Sequence, residues 1–352
     1  MKTGFTSTLV STGLIALIAT MASERTVRWV VTQVVGSVHT KVLSVLLTPQ
    51  SLTRSPAVTV PHRLKSHDVA PCHRYNVARL VHPVVVHVQT WPPGIQQLLD
   101  EARTDADDLW AGRAVRRAEA LSSQTGLEFA RNSFPMYFTG AFESKTVLVH
   151  LNGKLSDQLT IATYLDFDEY VDKHRRFGFH HWQQDPRYHS PFDQKQVRFL
   201  RPFGTIEFLP VSDPSHSRTN PARGLDCKLQ LELIPYASPT FEQRKFTSEV
   251  LAPHFQRVLN VITAYPRNYV IFCGSVFDRL LAEYEVTGSR EDFHFGLPTT
   301  KGMSASKYRF SNVMFRVGDL LIQAGIAQSF AKQGIPMDAY GAKCHELYRI
   351  KQ

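Results

Sequence analysis

Lys145-Thr-Val-Leu-Val-His-Leu151-Asn152-Gly153 reads as a strand that runs into a turn. A continuous apolar run of strand length is the pattern of a parallel strand covered on both faces, and Asn-Gly is a strong turn pair. The same punctuation recurs outward from it. Leu229-Gln-Leu-Glu-Leu-Ile234 is a second strand, ending at Pro235-Tyr236-Ala237-Ser238, and Tyr269-Val-Ile-Phe-Cys273 is a third, ending at Gly274. Tyr308 to Phe315 and Leu320 to Gln323 read as two strands joined across Gly318-Asp319. Helical periodicity fills the gaps. Behind Pro92-Pro93, Ile95, Leu98, Leu99 and Ala102 recur at i, i+3, i+4 and i+7. A second helix, capped by Thr104, puts Trp110, Ala114, Ala118 and Leu121 on one face, with Gly112 as an irregularity inside it. Further helices are expected over Thr160 to Arg175, over Phe241 to Thr263 with a break near Pro253, from Ser275 to Glu285, and from Asp338 to Ile350. Strands alternating with helices predict an α/β domain over residues 91–352, with a mostly parallel central sheet and helices on both faces.

Residues 1–90 differ in character. They hold 18 Val and six of the fifteen His, with nine basic residues against two acidic ones. The whole chain of 352 residues has 40 Lys and Arg against 31 Asp and Glu, a net charge of +9, so most of the surplus sits in this stretch. A secreted leader, a basic nucleic-acid arm and an extension from a start codon placed too far upstream compete as readings. The third is favoured, because the cations stand singly in Val-rich sequence rather than in clusters. Short patches such as Arg28 to Val35 have strand character without an evident partner, and a poorly ordered extension is expected.

Cys72, Cys227, Cys273 and Cys344 are widely separated, which speaks against a zinc ribbon or a disulfide scaffold and for a reduced, cytoplasmic setting. A weak signal-peptide shape, Lys2 followed by Leu14 to Ile18 and small residues near Ala22, lacks a proper cleavage pattern. No uninterrupted apolar run reaches membrane-spanning length, so no membrane partner is expected. The phosphate-loop, dinucleotide and nucleophile-elbow patterns are all missing, and no cofactor is expected.

In open α/β sheets the ligand site lies beyond the carboxyl ends of the strands. That rule selects Asn152 with Gly153, Lys154, Ser156 and Asp157, then Pro235 to Ser238, then Gly274-Ser275. An amide at a strand end both donates and accepts, and the glycine after it lets a ligand approach the backbone. After the last strand, Gln328 and Ser329 are placed to meet a ligand. Residues 171–206 add seven basic residues against three acidic ones. Among them are Arg175, Arg176, Arg187, Arg198 and Arg201, interleaved with Trp182 and six further aromatic residues. Cations that track a phosphate backbone beside rings that stack on bases suit single-stranded or opened nucleic acid. The competing reading is a long loop whose rings pack inward.

The order of these segments resembles the uracil-DNA glycosylase superfamily over residues 134–345. The resemblance rests on Val147 to Leu151 running into Asn152-Gly153, on Leu231-Glu-Leu-Ile-Pro-Tyr-Ala-Ser238, on Tyr269 to Gly274, and on a late strand leading into Gln328-Ser329-Phe330. In the mismatch-specific branches the first motif is Gly-x-Asn-Pro-Gly; Asn152 matches its Asn, and Gly153 stands where Pro is expected. The second motif reads His-Pro-Ser or Asn-Pro-Ser, and Ala327-Gln328-Ser329 keeps the Ser. The cysteine spacing disfavours the iron–sulfur branches. The resemblance implies a three-layer fold that flips a nucleotide out of DNA into a pocket. It further implies that Asn152 holds the base edge or the attacking water, that Tyr236 stacks on the base, and that Gln328 or Ser329 stabilises charge on the leaving base. Gly153, Lys154, Pro235 and Gly274 would line the pocket. The missing second-motif His implies slow chemistry or a binding-only protein. Two other readings stay open. One is a metal-dependent nuclease or phosphoesterase using His174, His180, His181 and His189 with Asp185 and Asp193; the other is a non-catalytic α/β protein acting through a partner.

Overall fold

The computed structural model describes residues 15–23, 26–33, 41–47, 90–153, 163–239, 242, 245–299, 302–303 and 307–349. The chain divides into two compact units, Met1–Val84 and Val85–Gln352. In the first, β1 (Ile15–Ser23), β2 (Thr26–Gln33) and β3 (Lys41–Leu47) form an antiparallel sheet with β2 in the middle. The Val-rich strand thus has partners on both sides, contrary to the sequence expectation. Val and Thr favour extended backbone, and such strands pair wherever a neighbour of similar length follows closely.

The second unit begins with α1 (Pro93–Trp110) and α2 (Arg116–Thr125). Thr104 does not cap a new helix. Its hydroxyl donates back to the Asp100 carbonyl at 2.8 Å inside α1, and the break falls at Gly112, whose φ of 71° suits glycine. After β4 (Phe138–Gly140) and β5 (Thr146–His150) come α3 (Phe167–Arg175), α4 (Pro191–Leu200) and α5 (His216–Asp226). Then follow β6 (Leu229–Glu232), α6 (Ser248–Ile262), β7 (Tyr269–Cys273) and α7 (Val276–Leu281). The chain closes with β8 (Glu291–Phe295), β9 (Pro298–Thr299), β10 (Gly302–Met303), β11 (Tyr308–Val317), β12 (Leu320–Ala327) and α8 (Met337–Arg349). Pro253 lies inside α6 without ending it. A proline there costs about 3 kcal/mol, and the buried Leu251, Phe255, Val258, Leu259 and Ile262 on the same helix outweigh it at about 1.5–3 kcal/mol each.

Seven strands form one mixed sheet in the order β4-β6-β5-β7-β12-β11-β8. The middle four, β6, β5, β7 and β12, are parallel, and antiparallel strands flank them on both sides. Alternate residues of the parallel strands enter two apolar clusters. Val147, Val149, Leu229, Leu231, Val270 and Phe272 join α1, α2 and α6, whereas Leu148, Tyr269, Ile271 and Cys273 join α4 and α8. Double-sided burial is why β5 and β7 are apolar at every other position and at the positions between.

Residues 171–206 are not a loop. After α3 the chain makes a short π-helical turn, Phe179–Gln183, then α4, then a 3-10 turn, Arg201–Phe203. The periodicity was hidden because three short helices of different pitch follow one another. Among the described residues, no helix is long and apolar enough to cross a membrane.

Candidate functional site

The strand order reverses at β5, which has β6 on one side and β7 on the other. Where connections leave in opposite directions, the usual ligand position in such sheets is beyond the carboxyl ends of the strands, here β5 and β7. Gly274 ends β7 at φ 144°, a backbone angle that favours glycine, and its amide donates to the Ala327 carbonyl at 2.9 Å. Beside it, just past β5, is Leu151, 3.5 Å from where a Cβ on Gly274 would stand.

Asn152 joins the ends of β5 and β6. Its Nδ2 donates to the Ser238 hydroxyl at 2.7 Å and to the Tyr236 carbonyl at 3.4 Å, while the Ser238 amide donates to the Gly153 carbonyl at 3.1 Å. The amide donor is therefore engaged by the protein, and any contact to a ligand falls to Oδ1, an acceptor. Gln328 follows β12; its backbone amide donates to the Tyr340 hydroxyl at 2.7 Å, and its buried Oε1 finds no protein partner. Ser329 is turned inward on its own loop, its hydroxyl accepting from the Ala331 amide at 3.3 Å. Lys154, Ser156 and Asp157 lie outside the described residues.

Two expected pocket residues are part of the core instead. The Tyr236 ring is 1% exposed, and its hydroxyl donates to Asp105 Oδ2 at 2.9 Å beside Tyr137, which donates to the same oxygen at 2.6 Å. Arg117 completes the group with an ion pair to Asp105 Oδ1 at 2.9 Å. A ring held in this way has no free face for a base, so Tyr236 cannot stack as expected. Pro235 is buried too, its carbonyl accepting from the Met136 amide at 2.8 Å. Both residues support the turn that holds Asn152.

The residues that gather at the strand ends were not singled out in the sequence. Lys228, just before β6 at its amino end, and Gln230 and Glu232 on it alternate onto one face, and the register of the parallel pair sets His150 of β5 beside Glu232 at the carboxyl end. Lys228 Nζ donates to Gln230 Oε1 at 2.9 Å, and Gln230 Nε2 donates to Glu232 Oε1 at 2.6 Å. Glu232 Oε2 has no protein partner. Neither has His150 Nε2, nor the amide oxygen and nitrogen of Gln196 on α4. Gln196 is close enough to influence the imidazole, yet no aligned hydrogen bond forms between them. Buried polar atoms without partners are uncommon in folded proteins and call for a ligand or water. Phe192 of α4 and Phe330 beyond β12 stand edge-on to the His150 ring, at centroid distances of 5.1 and 5.3 Å. Lys195 ties this wall together, donating to the Phe330 and Lys332 carbonyls.

Electrostatics make the group uncharged at His150 and proton-retaining at Glu232. Burial, helped by the nearby Lys228 charge, pushes the His150 imidazole down to about 3. Burial raises the Glu232 carboxyl to about 8, against the lowering effect of Gln230 and Lys228, and brings the Lys228 ammonium down to about 8. The signal available in sequence was Lys228-x-Gln230-x-Glu232, polar residues at alternate positions of a strand whose other side is apolar. Alone it reads as a solvated face.

The expected nucleic-acid stripe is divided. Trp182 is 2% exposed, packs on Ala222 and Leu225, and donates to Asp193, so it cannot stack on a base. Arg175 pairs with Glu143, Arg176 lies over the Phe179 ring, and Arg201 approaches Asp338 at 3.8 Å. Arg198 is exposed, and the Arg187 side chain is 93% exposed. The cations remain on the surface without the interleaved rings. The His and Asp residues of the metal reading do not converge. His174 donates to the Tyr170 carbonyl, His180 meets Asp172, His181 packs on Phe177 and Tyr188, and Asp193 accepts from Trp182 and Tyr188. Among the described residues no group of three or more His, Cys, Asp or Glu is placed to hold a metal ion. Compared with family models, curated proteins and solved structures, the chain matches none of them.

Proposed function

We propose that this chain is a base-binding protein of three-layer, glycosylase-like fold, which takes a flipped nucleotide at the carboxyl ends of its parallel strands and hydrolyses its N-glycosidic bond. One observation carries the reading: His150 and Glu232, side by side at the ends of β5 and β6, and Gln196 of α4 next to His150 keep buried hydrogen-bonding atoms without protein partners, as does Gln328 after β12. A planar heterocycle with donors and acceptors along its edge suits such a set of polar atoms. The two apolar clusters entered by alternate strand residues support the layered fold. Asn152 stands at the ends of β5 and β6, and exposed Arg187 and Arg198 are the cations we assign to the phosphate backbone.

The test is base release from duplexes carrying uracil or mismatches, read by cleavage at the resulting abasic site, alongside binding measured between 50 and 200 mM salt, roughly the range over which phosphate contacts weaken most visibly. Asn152→Ala is expected to slow release by about 10²-fold, the scale of one lost polar contact in a transition state. Wild-type protein that neither releases a base nor binds these duplexes would overturn the reading.

A further inference from the structure

Breaking an N-glycosidic bond leaves the electron pair on the base, and a neutral leaving group departs more readily than an anion. We propose that Glu232 donates the proton that neutralises the departing base, an inference that rests on the base-releasing reading above. Three features of the geometry point to it. Glu232 is the last residue of β6, at the carboxyl end of the sheet beside His150. Its Oε1 is occupied by the Gln230 amide at 2.6 Å, whereas Oε2 is buried without a protein partner. A carboxylic acid whose one oxygen accepts a hydrogen bond holds its proton on the other, and that oxygen is the one left for a ligand. At the end of β12 the residues are Gln328 and Ser329, neither of which releases a proton at neutral pH.

In the step, the C1′–N bond breaks with its electron pair passing to the base, and the Oε2 proton moves to the base's ring nitrogen or exocyclic oxygen. Water adds to C1′ and loses one proton to solvent, and Glu232 is reprotonated from solvent. The sum is hydrolysis, with no other reactant. The groups around Glu232 are Gln230 on β6, Lys228 just before it, Cys273 on β7, and His150 on β5 with Gln196 of α4 beside it, while Asp193 on α4 and Asp226 on α5 act on Lys228. His150 stays neutral and cannot compete as the donor. Burial sets where Glu232 gives up its proton, and the charge of Lys228, linked to it through Gln230, lowers that pH somewhat.

The experiment is single-turnover base release from a uracil-containing duplex between pH 5.5 and 9.5, with wild type, Glu232→Gln and Lys228→Met, and binding of the same duplex measured in parallel. Wild-type release is expected to fall as pH rises through about 8, the range in which Glu232 ionises. Glu232→Gln should be slower by about 10²-fold or more and flat across the range, with binding changed less than about threefold. Lys228→Met keeps the acid and removes the neighbouring cation, so the alkaline fall should move to higher pH. A Glu232→Gln protein that releases base at the wild-type rate, or a wild-type profile without an alkaline fall, overturns the proton-donor role and leaves base release standing. Duplex binding without release in the wild type overturns the donor role and leaves a base-binding protein.

Discussion

Gly341→Ala is expected to lower stability by about 3 kcal/mol or more, although alanine is the better helix former by about 1 kcal/mol. Gly341 lies in α8 where that helix crosses α4, and a Cβ at this position would run into the carbonyl oxygen of Phe199, with its carbonyl and α carbons close behind. The obstacle is backbone, so no rotamer change relieves it. Neither helix is free to retreat. Phe199 and Leu200 of α4 and Tyr340, Cys344 and Leu347 of α8 are all buried in one apolar cluster. Urea unfolding of the two proteins would measure the difference, and a loss below about 1 kcal/mol would mean that the crossing opens at little cost. Because α4 also carries Phe192 and Gln196, the variant should disturb the candidate site as well as the core.

Glu232→Gln should change how stability depends on pH in a way that tests burial of the acid independently of any activity. A carboxyl whose folded pKa is raised gives stability that is fully present below its unfolded value, near 4.5, and is lost as pH rises toward about 8. Glutamine has no such dependence. Between pH 5 and 8 the wild type is therefore expected to lose up to about 4 kcal/mol relative to the variant, at about 1.4 kcal/mol per pH unit. The buried histidines act in the opposite sense. His150 and His174, held down to about 3 and about 4 mainly by burial, give stability that is present above 6.5 and lost as pH falls. From pH 6.5 to 5 these two cost about 3 kcal/mol together, His254, likewise held down to about 3, adds about half as much again, and the Glu232 effect of about 2 kcal/mol offsets less than half of the total in the wild type. Denaturant titrations at pH 5, 6.5 and 8 separate the two. Parallel pH profiles for wild type and variant would mean that Glu232 is ionised and solvated at neutral pH.

The parallel strands were legible because burial on both sides leaves a continuous apolar run, as in Thr146–His150 and Tyr269–Cys273, and both bounds agree closely with the expectation. The edges were not. β4 is three residues long, and β8, Glu291–Phe295, opens on two acidic residues and was not among the expected strands; it is formed by pairing with β11. Pro253 and Thr104 misled for a common reason. Local preferences worth a few kcal/mol at most yield to a helix face that buries several large apolar side chains, Ile95, Leu98 and Leu99 in α1 and Leu251, Phe255, Leu259 and Ile262 in α6.

At the site, the rule that ligands gather beyond strand ends picked out Asn152, Gly274 and Gln328, and they do lie at neighbouring strand ends. It could not tell which neighbouring side chains turn into the core. Tyr236 stands two residues from Ser238, yet it is drawn away by Asp105, which is 131 positions earlier in the chain. Periodicity and turn residues, which act between near neighbours, were enough to determine an α/β chain with apolar parallel strands and polar strand ends. Only the tertiary structure decided that Lys228, Gln230 and Glu232 are buried beneath α4 and that the Trp182 ring is core. Burial and protonation depend on what packs against a residue from elsewhere in the chain, and no local pattern carries that.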